Sequence, residues 1–305
     1  MARVLITRRL PFPALERLQA AGHELEVWPG ELPPPPDELR ALAADADAVL
    51  CLLTDRIDEQ LLDAAPGLQA IAVLAVGTDN VDLDACRRRG IPVGNTPGVL
   101  TEATADLAFA LLLAAARRLP EVAAAIPNDE WRTWEPARWL GAEVHGATLG
   151  IVGFGRIGQA VARRATGFGM RIVSTKDTEL PELLATADFV SLHVPLTPDT
   201  RHLIDTGALA RMKPTAILVN TSRGPVVDQR ALAQALHDNE IAGAALDVTD
   251  PEPLPADDPL LSAPNLLVVP HIGSATTATR SRMADLAVDN LLAALAGEPM
   301  PHAAA

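Results

Sequence analysis

At 305 residues the chain has room for about two domains and needs neither disulfides nor metals to build a core. Its formal net charge of −14, with no basic stripe, excludes a phosphate-tracking nucleic-acid binder. Cys51 and Cys86 stand in apolar or helical context with no CxxC and no histidine at metal spacing, so they read as buried thiols in a reducing compartment, and no metal site is expected.

The chain opens on Arg3-Val4-Leu5-Ile6-Thr7, a short strand at Val4–Thr7 rather than the apolar core of a secretory leader. A helix over Ala14–Ala21 stops at Gly22, and a second strand covers Glu24–Trp28. Pro33–Pro36 is a stiff loop into a helix starting near Asp37. Further strands are expected at Ala48–Leu53, Ala70–Val76 and near Ile91–Val93, with helices over Asp58–Ala65 and Asp82–Arg89. The triplet Arg87-Arg88-Arg89 before Gly90 has the character of a helix C-terminus, where cations meet the negative end of the dipole. From Thr101 a long helix is expected to run to about Leu119, with Pro120 no obstacle. Its apolar run Leu107–Ala116 is too short to span a bilayer, so no membrane partner is expected and the cytoplasm is the default compartment. Three of the four tryptophans, Trp131, Trp134 and Trp139, fall together after it, either as a packed arm or as a subunit contact.

A second α/β unit begins at Ala147. Its strands are expected at Thr148–Val152, Arg171–Thr175, Phe189–His193, Ala216–Asn220, Gly243–Val248 and Leu266–Val269, and the tail from Thr277 to Ala296 is one more helix. Strands this apolar, separated by helices, indicate a parallel sheet covered on both faces.

The chemistry starts at Gly153-Phe154-Gly155-Arg156-Ile157-Gly158, which follows a strand and opens the helix Arg156–Gly167. In that context Gly153 permits the tight turn, Gly155 lets a pyrophosphate approach the backbone, and Gly158 lets helix and strand pack closely. The helix N-terminus supplies N–H groups and positive potential for phosphate. At the end of the next strand, where an acid usually bonds the ribose 2′-hydroxyl, stand Ser174, Thr175 and Lys176, with Asp177 adjacent. The cofactor is therefore NADP or NAD, and Lys176 tilts the balance toward NADP. Arg223, Glu252 and His271 each lie in a loop after an apolar strand, on the edge where open α/β sheets bind ligands. These types meet the needs of reducing a 2-keto acid. Arginine clamps a carboxylate through two parallel bonds, and histidine supplies a proton near neutral pH. A carboxylate hydrogen-bonded to the imidazole holds it in one orientation. The other histidines read more plainly: His193 as structural or cofactor-lining, His202, His145 and His237 as non-catalytic, and His23 as the residue after a helix stop.

With these motifs in view the chain resembles the D-isomer-specific 2-hydroxyacid dehydrogenases, most closely their glyoxylate/hydroxypyruvate reductase branch. The resemblance is carried by Val76–Asp82, Gly153–Gly158, Leu192–Thr197, Met212–Pro214, Asn220–Val227, Leu246–Leu254 and Pro270–Thr276, which together span most of the sequence. It implies two Rossmann-like domains, a parallel-sheet nucleotide domain (99–280) inserted in a discontinuous flavodoxin-like substrate domain (1–98 and 281–305). It also implies hydride transfer from NAD(P)H to a small anionic 2-keto acid, reversibly giving the 2-hydroxy acid, with Arg223, Glu252 and His271 catalytic. Leu53, Val76, Gly77, Arg223, Ser274 and Trp139 are then the substrate-binding set. Gly153, Gly155, Arg156, Ile157, Gly158, Thr175, Lys176, Val194, Pro195, Thr221, Ser222, Arg223, Asp247, His271 and Gly273 border the cofactor. A homodimer is implied, with a segment like Pro120–His145 packed on the partner and Trp139 or Arg138 near the partner's site. The short stretch after Asp177 implies a sheet clipped on that side. Similar proteins act on phosphite or formate, or serve as nucleotide-sensing co-repressors, and these are the competing expectations.

Overall fold

A computed structural model describes residues 1–304. They form two compact units, one of residues 1–100 with the segment from Ala275 on, the other Thr101–Ser274. In the first unit the chain runs β1 (Arg3–Ile6), α1 (Ala14–Ala20), β2 (Glu24–Val27), α2 (Pro36–Ala43), β3 (Ala48–Cys51), α3 (Glu59–Ala64), β4 (Ala70–Val73), α4 (Leu83–Arg88) and β5 (Val93–Gly94). All strand pairs are parallel, in the order β2-β1-β3-β4-β5. This is the flavodoxin-type order. β3 and β4 are buried at every residue. Alternate side chains feed two cores: Leu5, Val49 and Ile71 pack with Leu39, Leu61 and Ala85, whereas Val4, Ile6, Leu50 and Ala72 pack with Leu18, Met283 and Val288. That two-sided burial is why these strands read as continuous apolar runs. Asp58 and Asp82 cap α3 and α4 by accepting from Leu61 and Ala85 N–H, which stabilises each helix start by about 1 kcal/mol. The fifth strand lies later than the expected Ile91–Val93, because Ile91 N–H closes α4 by donating to Cys86 O.

The second unit comprises α5 (Thr101–Ala116), α6 (Leu119–Ala125), β6 (Thr148–Val152), α7 (Arg156–Thr166), β7 (Arg171–Ser174), α8 (Leu180–Thr186), β8 (Phe189–Leu192), α9 (Thr206–Leu209), β9 (Ile217–Asn220), α10 (Gln229–His237), β10 (Gly243–Leu246) and β11 (Leu266–Val268). The sheet is parallel throughout, ordered β11-β10-β9-β8-β6-β7. The chain lays β7 on one side of β6 and β8 on the other, so the order reverses between β6 and β8. At such a switch point the flanking loops diverge and leave a crevice beyond the carboxyl ends of the strands. The expected single helix from Thr101 to Leu119 is two helices. The first ends at Ala116, Arg118 takes a left-handed φ of 52°, and Pro120 falls in the first turn of α6, where its missing N–H costs nothing. Only residues 175–179 separate β7 from α8, so β7 is a sheet edge. The chain then returns to the first unit as α11 (Thr277–Leu295), capped by Thr276.

Candidate active site

The Gly-rich turn is built for close backbone approach. Gly153 has φ +92°, and a Cβ there would lie 2.6 Å from His193 O across the switch point. A Cβ on Gly158 would lie 2.2 Å from Gly153 O, so only glycine lets α7 sit against the turn. Gly155 differs, since a Cβ there would meet nothing within 4 Å. As the cap of α7 it brings no side chain to accept from the first N–H groups of the helix, near Arg156 and Ile157. Gly153 N–H donates to Thr175 Oγ1 at 3.0 Å, tying the turn to the end of β7. Thr175, Lys176 and Asp177 are exposed there. Two buried polar atoms on the same edge, His193 Nδ1 after β8 and Thr221 Oγ1 after β9, have no partner among the described residues. The open turn and these orphaned atoms fit a bound dinucleotide. Val194 and Pro195 continue from His193 on the same edge.

The loops after β9, β10 and β11 are neighbours because those strands are neighbours. After β9, Asn220 is buried and its side chain shapes the turn: Nδ2 donates to Arg223 O at 2.9 Å, while Oδ1 accepts from Ser222 N–H at 3.0 Å and Ser222 Oγ at 2.8 Å. Arg223 leaves that turn in extended backbone, with one guanidinium nitrogen donating to Ser222 O at 2.8 Å. The next residue, Gly224, packs so tightly that a Cβ would fall 1.9 Å from Thr249 O. The arginine loop is thus pressed on the loop that carries Glu252.

His271 Nδ1 lies 2.5 Å from Glu252 Oε1, with both side chains about a quarter to a third exposed. A carboxylate only accepts, so Nδ1 carries the proton of this bond and Nε2 is the atom left for acid–base work. The histidine is held by its backbone. It adopts φ 51°, uncommon outside glycine, and its N–H donates to Asp247 O at 2.9 Å. The Asp247 carboxylate accepts from Ile272 N–H at 2.6 Å and Gly273 N–H at 2.8 Å. Burial raises its pKa, against the lowering effect of those two bonds and of His271. Asp247, just after β10, therefore directs both oxygens to the loop after β11 that carries His271. From α5, Thr104 Oγ1 donates to Gly273 O at 3.3 Å; Ser274 follows, partly exposed.

The remaining expected substrate residues divide between the units. In the first, Leu53 follows β3, and Val76 and Gly77 follow β4. Asp55 holds the Leu53 loop, accepting from Thr7 Oγ1 at 2.5 Å and Leu52 N–H at 2.8 Å. Asn80 Nδ2 donates to Leu52 O at 3.0 Å and Asp55 O at 2.8 Å. In the second unit Trp139 takes φ 56° beneath the Arg138 guanidinium, 4.4 Å from its ring centre. Trp131 and Trp134 are 62% and 82% exposed, so they do not form an arm packed within the chain. Sequence reasoning missed Asn220, Gly224, Asp55 and Asn80 as builders of these loops. Asn80 fell within the Val76–Asp82 motif and Asn220 and Gly224 within Asn220–Val227, but with no role attached; Asp55 carried no signal beyond being an acid shortly after an apolar strand.

Residues 109–273, more than half of the chain, match the family model described as "D-isomer specific 2-hydroxyacid dehydrogenase, NAD binding domain". A glyoxylate reductase of Korarchaeum cryptofilum is 50% identical, over 98% of this chain and 95% of that one. A solved protein of Thermus thermophilus is 51% identical with a TM-score of 0.94, covering 99% of this chain and all of the other. The NADPH-dependent glyoxylate/hydroxypyruvate reductase of Sinorhizobium meliloti, solved with NADP and malonate, is 33% identical with a TM-score of 0.88, over 100% of this chain and 97% of that one. By its fold, its dinucleotide turn and likeness along nearly its whole length, the chain belongs to the NAD(P)-dependent D-isomer specific 2-hydroxyacid dehydrogenases, in their glyoxylate reductase branch.

Proposed function

We propose that this protein reduces glyoxylate or hydroxypyruvate to the corresponding 2-hydroxy acid, with NADPH as the preferred reductant. The observation that carries the reading is the 2.5 Å His271–Glu252 pair in loops adjoining that of Arg223, on the sheet edge that also bears the Gly153–Gly158 turn. NAD(P)H, when bound, supplies the hydride for the keto carbon. His271 gives its Nε2 proton to the carbonyl oxygen as negative charge develops there, and Glu252 keeps the ring oriented for that transfer. The Arg223 guanidinium pairs with the substrate carboxylate, and within the first unit the Val76–Gly77 backbone is read as a carboxylate-binding element. Lys176, exposed just after β7, is the cation we assign to a 2′-phosphate, and its presence where an acid is usual supports the NADPH preference.

The test is an absorbance assay at the nicotinamide band with each of NADH and NADPH against glyoxylate, hydroxypyruvate and pyruvate, and with each oxidised cofactor against phosphite and formate. Turnover only with phosphite or formate overturns the substrate assignment, and no turnover with any of them favours a nucleotide-sensing module. A homodimer is part of the same reading, supported by the exposed Ile126, Trp131, Trp134 and Leu140 in one segment. Light scattering that gives the 32.1 kDa monomer mass would refute it.

A further inference from the structure

We propose that Asn95, locked in place by Asn290 and by residues 302–304, is a positioning residue that aims the Gly77 N–H at the substrate carboxylate. The inference rests on the reading that the Val76–Gly77 backbone receives that carboxylate. Asn95 Nδ2 donates to Val76 O at 2.7 Å. The peptide joining Val76 to Gly77 is planar and trans, so its C=O and N–H point in opposite directions. Fixing the carbonyl toward Asn95 therefore fixes the N–H away from it. The bond also polarises the peptide and strengthens its N–H as a donor. Val76 is 37% exposed and is followed by glycine, a pairing that leaves this peptide free to rotate without such an anchor.

Asn95 is in turn held by two further bonds. Its N–H donates to His302 O at 3.0 Å, and its carbonyl accepts from Asn290 Nδ2 at 3.0 Å. Asn290, fully buried on α11, accepts from His302 N–H at 2.9 Å. The chain at 302–304 continues the sheet beyond β5: Ala303 forms an antiparallel bridge with Gly94, and Ala304 N–H donates to Val93 O at 2.7 Å. A Cβ on Gly94 would lie 2.5 Å from Asn290 Nδ2, so that glycine is what admits the asparagine. This terminal segment thus bears on the substrate loop through two asparagines.

Asn95→Asp preserves shape while setting an acceptor against the Val76 carbonyl. Its KM for glyoxylate is expected to rise about tenfold, with the dissociation constant of NADPH, followed by fluorescence, unchanged. In protein labelled with 15N-glycine, the Gly77 amide peak, assigned by its loss in Gly77→Ala, is expected to move in Asn95→Asp before any substrate is added. Deleting residues 302–305 is expected to shift KM and the Gly77 peak in the same directions. A purely structural role would lower the melting temperature while leaving KM or altering cofactor binding in parallel. An unchanged KM, or an unmoved Gly77 peak in Asn95→Asp, overturns the proposal. The underlying reading is tested separately, by adding oxalate to the wild type with oxidised cofactor bound. If oxalate leaves the Gly77 peak where it was, the carboxylate site lies elsewhere, whatever Asn95 does.

Discussion

Replacing His193 with asparagine tests the electrostatics of the β6–β8 switch point. The ring ends β8 with Nε2 2.9 Å from Ser191 Oγ and Nδ1 without a partner among the described residues. Burial pushes the imidazole pKa down to about 4. In the unfolded chain the same ring titrates near 6.5. Between those values the unfolded state binds the additional proton, so stability rises with pH across the window and is lost as pH falls through it. Relative to neutral pH, the loss amounts to about 2 kcal/mol at pH 5 and about 3 kcal/mol near pH 3. For a unit of this size, 2 kcal/mol corresponds to a shift of about 4–8 °C in melting temperature. Asparagine keeps a hydrogen-bonding group beside Ser191 and cannot titrate. Melting curves of wild type and His193→Asn, recorded by circular dichroism from pH 7 to pH 5 at fixed ionic strength, should diverge by about 4–8 °C, the variant losing less. Parallel curves would mean that the ring takes up its proton in the folded state as easily as in the unfolded one, and the argument from burial would fail.

His271→Ala is expected to lower kcat/KM by roughly 10²–10⁴, the usual worth of a positioned general acid, with cofactor affinity by fluorescence unchanged. Glu252→Gln should cost less in the same assay, because its amide oxygen still accepts from Nδ1. Lys176→Asp should move the NADPH-to-NADH preference toward NADH by roughly 10–100-fold, the effect of one charge-assisted pair of about 1–3 kcal/mol. Wild type already favouring NADH in steady-state kinetics would contradict this. Gly224→Ala places a methyl group 1.9 Å from Thr249 O, where backbone faces backbone. Forcing the loops apart should destabilise the unit by about 1–3 kcal/mol, read as a lower melting temperature, and depress kcat together with it.

The sequence alone determined the α/β character of both units, because apolar strands and 3.6-residue helices are local patterns that survive without knowledge of their neighbours. It also determined the dinucleotide turn, since Gly153, Gly155 and Gly158 between a strand and a helix are a local conformational demand. Arg223, Glu252 and His271 were legible as polar groups beyond strand ends. Their local context did not contain the pairing of His271 with Glu252, 19 positions apart, or the close packing of Gly224 on Thr249. Nor did it contain the inward turn of Asp247 toward Ile272 and Gly273, or the bond from Asn290 to Asn95 across 195 positions. The break at Arg118 escaped for a related reason. A proline just after an apolar run is compatible with one helix or two, and packing decides. Tertiary structure settled these features because strand order brings residues together through space, and hydrophobic periodicity records which face is buried but not which strand lies beside it.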